Sequence, residues 1–168
     1  QAGIRNVVAT SGTALTADQA KLLRRHARGV ALTYDGDSAG QEAMLRSLGA
    51  LLGEGLDVVV VELPVGDDPD TFVRRAGPAG WQEQRRSAYD AVQFIQRHLL
   101  KAPGPGDPRE RALQVVVRLA SGMSDAIRLR LFLERASQVF GQPEGVLARA
   151  VGLQRGGQKS EAPIAAAV

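Results

Sequence analysis

The stretch Val30-Ala-Leu-Thr-Tyr34-Asp35-Gly36-Asp37-Ser38-Ala-Gly40 decides the fold, because an apolar run turns at an acid-Gly-acid step and opens into a helical pattern. Upstream, Thr16-Ala-Asp-Gln19 matches a capping box, and Ala20, Leu23 and Ala27 follow at helical spacing, with Gly29 as the expected stop. Before that, residues 6–10 (NVVAT) predict a strand that ends at the turn Ser11-Gly12-Thr13. Downstream, residues 40–52 predict a helix with Met44, Leu48 and Leu51 on one stripe. Residues 57–63 (DVVVVEL) then predict a continuous apolar strand of the kind covered on both faces in a parallel sheet. The order is β-α-β-α-β with connections too long for hairpins, which predicts parallel strands joined by right-handed crossovers. Ligands of such sheets collect beyond the carboxyl ends of the strands. Residues 11–13, 35–40 and 66–71 all follow such ends.

From Pro78 onward the pattern is helical only. Residues 81–100 read as one long helix, ended by the breakers Ala102-Pro-Gly-Pro-Gly106. Asp107-Pro108-Arg109-Glu110 starts another, with Leu113, Val116, Val117 and Ala120 as its expected buried stripe. A third helix spans about 124–140, and a short fourth opens at Pro143 and fades near Gly152. The segment 127–152 has an outline like a helix-turn-helix, but its second helix lacks the polar base-reading residues, so bundle packing is expected. The expected organisation is an α/β domain over residues 1–77, an all-α subdomain over 78–153, and a linker or disordered tail over 154–168.

Composition narrows the chemistry. The apolar fraction is 44% and aromatics are 4%, so the core rests on Leu, Val and Ala. With no cysteine and two histidines, thiolate sites, disulfides and a His-based zinc site are set aside. No membrane-length apolar run or signal-peptide pattern is present, and a cytoplasmic location is expected. The net charge of +3 is uneven. Residues 1–80 hold eight Lys/Arg against ten Asp/Glu, whereas residues 81–153 hold eleven against seven. The basic second part mildly favours a polyanionic partner.

The acidic excess of the first part sits largely in two clusters. Asp35 and Asp37 are two apart, so an extended backbone puts both on one side, and Gly36 allows close approach to a ligand. Gly66-Asp67-Asp68-Pro69-Asp70-Thr71 repeats that spacing after the next strand. Hard carboxylate oxygens at two neighbouring strand ends suit Mg²⁺ or Mn²⁺ working on phosphates. Capping explains the same residues in another way: Asp37 or Ser38 as an N-cap, Asp68-Pro69 as an N-cap and N1 pair, and Asp70 on the helix dipole. Lys21, Arg24, Arg25 and Arg28 form either a solvated helix face or a nucleic-acid contact. Arg74-Arg75 and Arg85-Arg86 could neutralise phosphates or form a salt-bridged surface.

The runs Val8-Ala-Thr-Ser-Gly12-Thr13-Ala-Leu-Thr16, Tyr34-Asp-Gly-Asp37-Ser-Ala-Gly40 and Leu63-Pro-Val-Gly-Asp-Asp68-Pro69-Asp70-Thr71, in this order, resemble the catalytic core of bacterial DNA primases of the DnaG type. That core is a Toprim domain followed by a helical subdomain, and the resemblance covers about residues 1–150. It implies a Toprim-like parallel sheet flanked by helices, then an all-α subdomain. It also implies a DNA-directed RNA polymerase, a nucleotidyltransferase that makes RNA primers for replication. Asp35, Asp37 and Asp68 would be catalytic, and the same three with Asp70 would hold the Mg²⁺ or Mn²⁺ ions. Gly12 and Thr13 would lie by the nucleotide phosphates. The implied partners are a single-stranded DNA template, ribonucleoside triphosphates and, through a C-terminal domain beyond this sequence, the replicative helicase. The family's first acidic strand and its upstream zinc module are not in these 168 residues. A fragment truncated at both ends, inactive by itself, is therefore expected. A Toprim-type nuclease or phosphohydrolase would use the same carboxylates with water as nucleophile. A non-catalytic nucleic-acid-binding module would use only the basic helices.

Overall fold

A computed structural model describes residues 3–10, 14–34 and 38–160. Gly12, Thr13, Asp35 and Asp37 lie outside the described residues. The chain forms two compact units that divide between Phe94 and Ile95.

In the first unit, helix α1 (Ala17–Arg24) starts at the expected capping box. Gln19 N donates to Thr16 Oγ1 at 3.3 Å, and Thr16 N donates to Gln19 Oε1 at 2.9 Å. The helix stops earlier than expected, because Arg25 N and His26 N close on Leu22 O and Leu23 O in tight i→i−3 turns. Gly29 instead opens strand β1 (Gly29–Leu32). Helix α2 (Ser38–Gly53) follows and packs on strand β2 (Asp57–Val60) and against α1. Its stripe of Met44, Leu48 and Leu51 is buried, as the spacing requires. Strands β1 and β2 are parallel, with Gly29 opposite Asp57 and Leu32 opposite Val60.

Three expectations for this unit fail. Residues 6–10 form no strand, and Val7 and Val8 are 63% and 70% exposed. β-Branched residues favour strands only where a pleated, half-buried surface receives them, and no ladder partner meets this run among the described residues. Strand β2 is covered on one face only: Val58 and Val60 are buried while Val59 is 39% exposed, because period-2 alternation turns Val59 away from that face. The single helix over 81–100 is in fact interrupted. Helix α3 (Pro69–Arg86) ends at Ser87, strand β3 (Tyr89–Asp90) pairs antiparallel with β2, and helix α4 (Ala91–Leu99) begins afresh. The restart has a local cause, a reciprocal Asp90–Gln93 cap in which Gln93 N donates to Asp90 Oδ1 at 2.8 Å and Asp90 N to Gln93 Oε1 at 3.2 Å. The sheet is therefore mixed, in the order β1-β2-β3. Helix α3 is itself broken at Gly77 (φ 67°, ψ −177°), a backbone region nearly closed to other residues, just before Pro78.

The second unit packs helices α5 (Pro108–Ser121), α6 (Ala126–Phe140) and α7 (Glu144–Ser160) against one another. Asp107 and Asp125 cap α5 and α6, accepting from Arg109 N at 2.9 Å and from Ile127 N and Arg128 N at 2.9 and 3.0 Å. The bundle-packing expectation for 127–152 agrees with this arrangement. The buried stripe of α5 is Ala112, Val116, Leu119 and Ala120, whereas Leu113 and Val117 are half-buried and line a groove facing α7. Helix α7 also runs past Gly152, so residues 154–160, expected in a tail, are helical. Arg155 explains why the extension holds: its guanidinium donates to Ser121 O at 3.1 Å, Ala120 O at 3.3 Å and Met123 O, closing the open end of α5. Arg111 does the same for the breaker loop, donating to Ala102 O at 2.6 Å and Pro105 O at 2.8 Å. Part of the basic excess is thus spent on backbone carbonyls. Among the described residues no helix is long and apolar enough to cross a membrane.

Two glycines in helices should respond to alanine with opposite signs. Gly77→Ala, at positive φ, should destabilise the first unit by about 1–3 kcal/mol, read by Trp81 fluorescence in urea. Gly152→Ala, inside α7 with nothing within 4 Å of the added methyl, should stabilise the second unit by about 0.5–1 kcal/mol, read by amide exchange in α7.

Candidate functional site

The parallel pair delivers two chain segments to one edge. Strand β1 ends at Leu32, whose carbonyl accepts from Val61 N at 2.9 Å, so the strands stay in step as they leave the sheet. From that point Thr33 and Tyr34 lead to Asp35, while residues 62–68 lead to α3. Thr33 Oγ1 is buried and has no partner among the described residues. On the β2 side, Asp67 N closes a turn on Pro64 O at 3.0 Å. Gln84 Nε2 donates to Glu62 O and so ties the far half of α3 to the end of β2.

Each carboxylate of the second cluster has a definite occupation. Asp68 is the N-cap of α3: its Oδ1 accepts from Thr71 N at 2.8 Å, and Thr71 Oγ1 accepts from Asp68 N at 3.0 Å. The hydrogen bond from Thr71 N holds the Asp68 carboxyl below its ordinary value of 3.8; partial desolvation opposes this, and the Thr71 hydroxyl, Asp70 N and the Arg74 charge add to it. Asp70 pairs with Arg74 at 2.9 Å on the exposed face of α3. Asp67 is more sheltered than Asp70, its side chain 18% exposed against 68%, and pairs with Arg75, whose guanidinium sits 5.8 Å from the Phe72 ring centroid. Arg86 pairs with Glu83 at 2.8 Å. Of the two readings of the arginine pairs, the salt-bridged surface describes Arg74, Arg75 and Arg86.

Beneath this edge lies a residue that the sequence reading passed over. Ser47 is fully buried in α2. Its Oγ accepts from Leu15 N at 2.9 Å, donates to Ala43 O at 2.8 Å and lies 2.7 Å from the Tyr34 hydroxyl. The signal was present in the sequence: Ser47 occupies a position of the apolar stripe between Met44 and Leu51, where a polar side chain needs partners.

Among the described residues, no group of three or more His, Cys, Asp or Glu side chains converges to hold a metal. What the edge offers is hard oxygen chemistry, with an ionised carboxylate at Asp68 and the acidic step 35–37 following the adjacent strand. Such donors fit Mg²⁺ or Mn²⁺. Asp70 fits less well, since it would have to leave Arg74.

A family described as Toprim-like matches residues 1–73. The chain is 46% identical over 94 residues to the DNA primase of Clostridium acetobutylicum, covering 56% of this chain and 16% of that protein. Its fold resembles a DNA primase domain from Pseudomonas aeruginosa with a TM-score of 0.73 and 28% identity, covering 89% of this chain and 49% of the other. A DnaG primase catalytic domain bound to ssDNA matches with a TM-score of 0.66 and 29% identity, over 82% of this chain and 46% of that one. The chain spans about a fifth of the length of the curated relatives it matches. The mixed sheet followed by a helical unit is the architecture these similarities share.

The capping role of Asp68 has a pH signature. Because its folded carboxyl lies below 3.8, the group stabilises the fold at pH above that value, and the contribution fades as pH falls through the lower folded value. Asp68→Ala should therefore lower the melting temperature at pH 7, with the gap to wild type closing in acid. A gap that persisted unchanged into strong acid would contradict an ionised cap.

Proposed function

Since the chain is a Toprim-domain homologue of the DnaG-type DNA primases, we propose that its acidic edge is the metal site of a template-directed nucleotidyl transfer that makes RNA primers. The observation that supports this reading is the in-register parallel pairing of β1 and β2: in sequence the acidic step 35–37 follows shortly after β1 and Asp68 after β2, and ligands of parallel sheets collect beyond such strand ends. Asp35, Asp37 and Asp68 are the proposed ligands of Mg²⁺ or Mn²⁺, with Asp70 joining only by giving up Arg74. Divalent ions, when bound, neutralise the charge of a transferring phosphoryl group and align the attacking and leaving oxygens.

The chain's own residues supply the rest. Asp68 commits Oδ1 to Thr71 N, so its other oxygen is the one suited to a cation. Like any carboxylate near or below its ordinary value, Asp68 is anionic at neutral pH, and the Thr71 N bond extends that charge further into acid. Gly12 and Thr13, three and two residues before the anchored Leu15, are the proposed contacts to nucleotide phosphates through backbone amides. The substrates in this reading are ribonucleoside triphosphates, and the template is single-stranded DNA, as bound by the similar catalytic domain.

Capping and ligation can be separated by choice of variant. Asp68→Asn keeps an oxygen that can accept from Thr71 N but loses the charge. We expect it to hold most of the wild-type melting temperature while weakening Mn²⁺ binding, followed by electron paramagnetic resonance. Asp35→Ala should weaken binding by at least the roughly tenfold typical of losing even an outer-sphere partner. Unchanged Mn²⁺ affinity in both variants would overturn the metal reading.

A further inference from the structure

We propose that Ser47 and Tyr34 are positioning residues for the acidic edge, forming one buried node that holds the chain entering both proposed site segments. The proposal rests on the metal reading above and extends it to residues that touch neither metal nor nucleotide.

The stoichiometry of the serine hydroxyl makes the case. A hydroxyl has one proton and two lone pairs. Ser47 Oγ gives its proton to Ala43 O, the ordinary back-bond of a serine within a helix. One lone pair accepts from Leu15 N. The remaining contact, 2.7 Å from the Tyr34 oxygen, then has the Tyr34 hydroxyl as donor. The node is thereby saturated, and every partner is assigned.

The partners lie in telling places. Leu15 follows Thr13 by two residues, and Tyr34 is joined directly to Asp35. One atom on α2 therefore holds Leu15, two residues after Thr13 in sequence, and Tyr34, the residue before Asp35. A serine that only satisfied its helix would look like Ser121 in α5, whose Oγ donates to Val117 O at 2.8 Å. Ser47 makes that bond and accepts two more from segments 32 and 13 residues away in sequence. Its full burial makes these bonds costly to lose, since an orphaned polar group there has no water to replace its partner.

The test uses the whole chain with Mn²⁺ as the probe. Tyr34→Phe removes one oxygen and keeps the ring, while Ser47→Ala removes the node. Each should weaken Mn²⁺ binding by about three- to tenfold, the net worth of one buried hydrogen bond. The double variant should bind no more weakly than Ser47→Ala, because the two groups act through one contact. Amide exchange at Leu15 should accelerate in Ser47→Ala and stay slow in Tyr34→Phe, a pattern that general destabilisation does not produce. Val92→Ala, in the core of the first unit, controls for lost stability. If Ser47→Ala fails to fold, Tyr34→Phe decides. Wild-type affinity in Tyr34→Phe and Ser47→Ala, with binding lost in Asp35→Ala, would overturn the positioning role and leave the metal reading intact. Equal weakening by Val92→Ala would also overturn it. If Asp35→Ala binds Mn²⁺ as wild type does, the metal reading falls, and the positioning role falls with it.

Discussion

The parallel register of β1 on β2 is the constraint on which the candidate site depends. Parallel strands cannot be joined by a hairpin, so α2 must carry the chain back across the sheet before β2 begins. Both strands then point the same way, and whatever follows them emerges at one edge. An antiparallel pairing of the same two runs would send the acidic step 35–37 and Asp68 to opposite ends. The burial that enforces the register is mostly α2's own. Met44, Leu48 and Leu51 bury a continuous stripe, and the buried faces of β1 and β2 supply Leu32, Val58 and Val60. A slip of one residue in β2 would exchange Val60 with Val59 and expose the better-buried side chain.

Some of this was legible in the sequence, for a clear reason. The capping box at Thr16 and the N-cap and N1 pair Asp68-Pro69 are local, set by a few neighbouring residues each, and both formed as read; the reciprocal bond from Thr71 that completes a box at Asp68 was not read. The β-α-β order followed from periodicity and connection length, which also act locally. What could not be read were the features decided by a distant partner. Residues 6–10 have the composition of a strand but no ladder to join among the described residues, and Val7 and Val8 lie exposed. Strand β3 is only Tyr89 and Asp90, and it exists because the free edge of β2 receives it. In sequence it hides inside a helical pattern, betrayed only by the Asp90–Gln93 cap. Helix α7 outlasts Gly152 because Arg155 finds carbonyls at the end of α5, more than thirty residues away. Of the candidate site residues, Asp68 and Asp70 are placed by the structure, and Asp35, Asp37, Gly12 and Thr13 lie beyond what it describes.

The charge distribution changes meaning once partners are assigned. The basic excess after residue 80 invited a polyanion, yet Arg109, Arg111 and Arg155 donate to Phe140 O, to the breaker-loop carbonyls and to the end of α5. Arg109 and Arg155 supply donors to carbonyls at helix ends, which have no internal N–H partner, and Arg111 does so for the loop that follows α4. Arg74, Arg75 and Arg86 are likewise engaged by Asp70, Asp67 and Glu83. Exposed pairs of this kind contribute little to stability, but they keep those charges local. The second unit's positive balance is therefore weak support for nucleic-acid binding by that unit.

Asp68 shows how a capping reading and a metal reading can hold together. An N-cap needs one carboxylate oxygen aimed at the first turn, and Oδ1 meets that need through Thr71 N. The cap fixes the rotamer, and the position of the second oxygen is set with it. The same bond lowers the pKa, which keeps the charge that a hard cation requires. Asp70 has no such cap: it lies exposed in the first turn of α3 and already pairs with Arg74. In the proposed reading, a ligand set that starts from Asp68 would draw its remaining oxygens from the acidic step that follows Tyr34 in sequence, the residue whose hydroxyl meets Ser47.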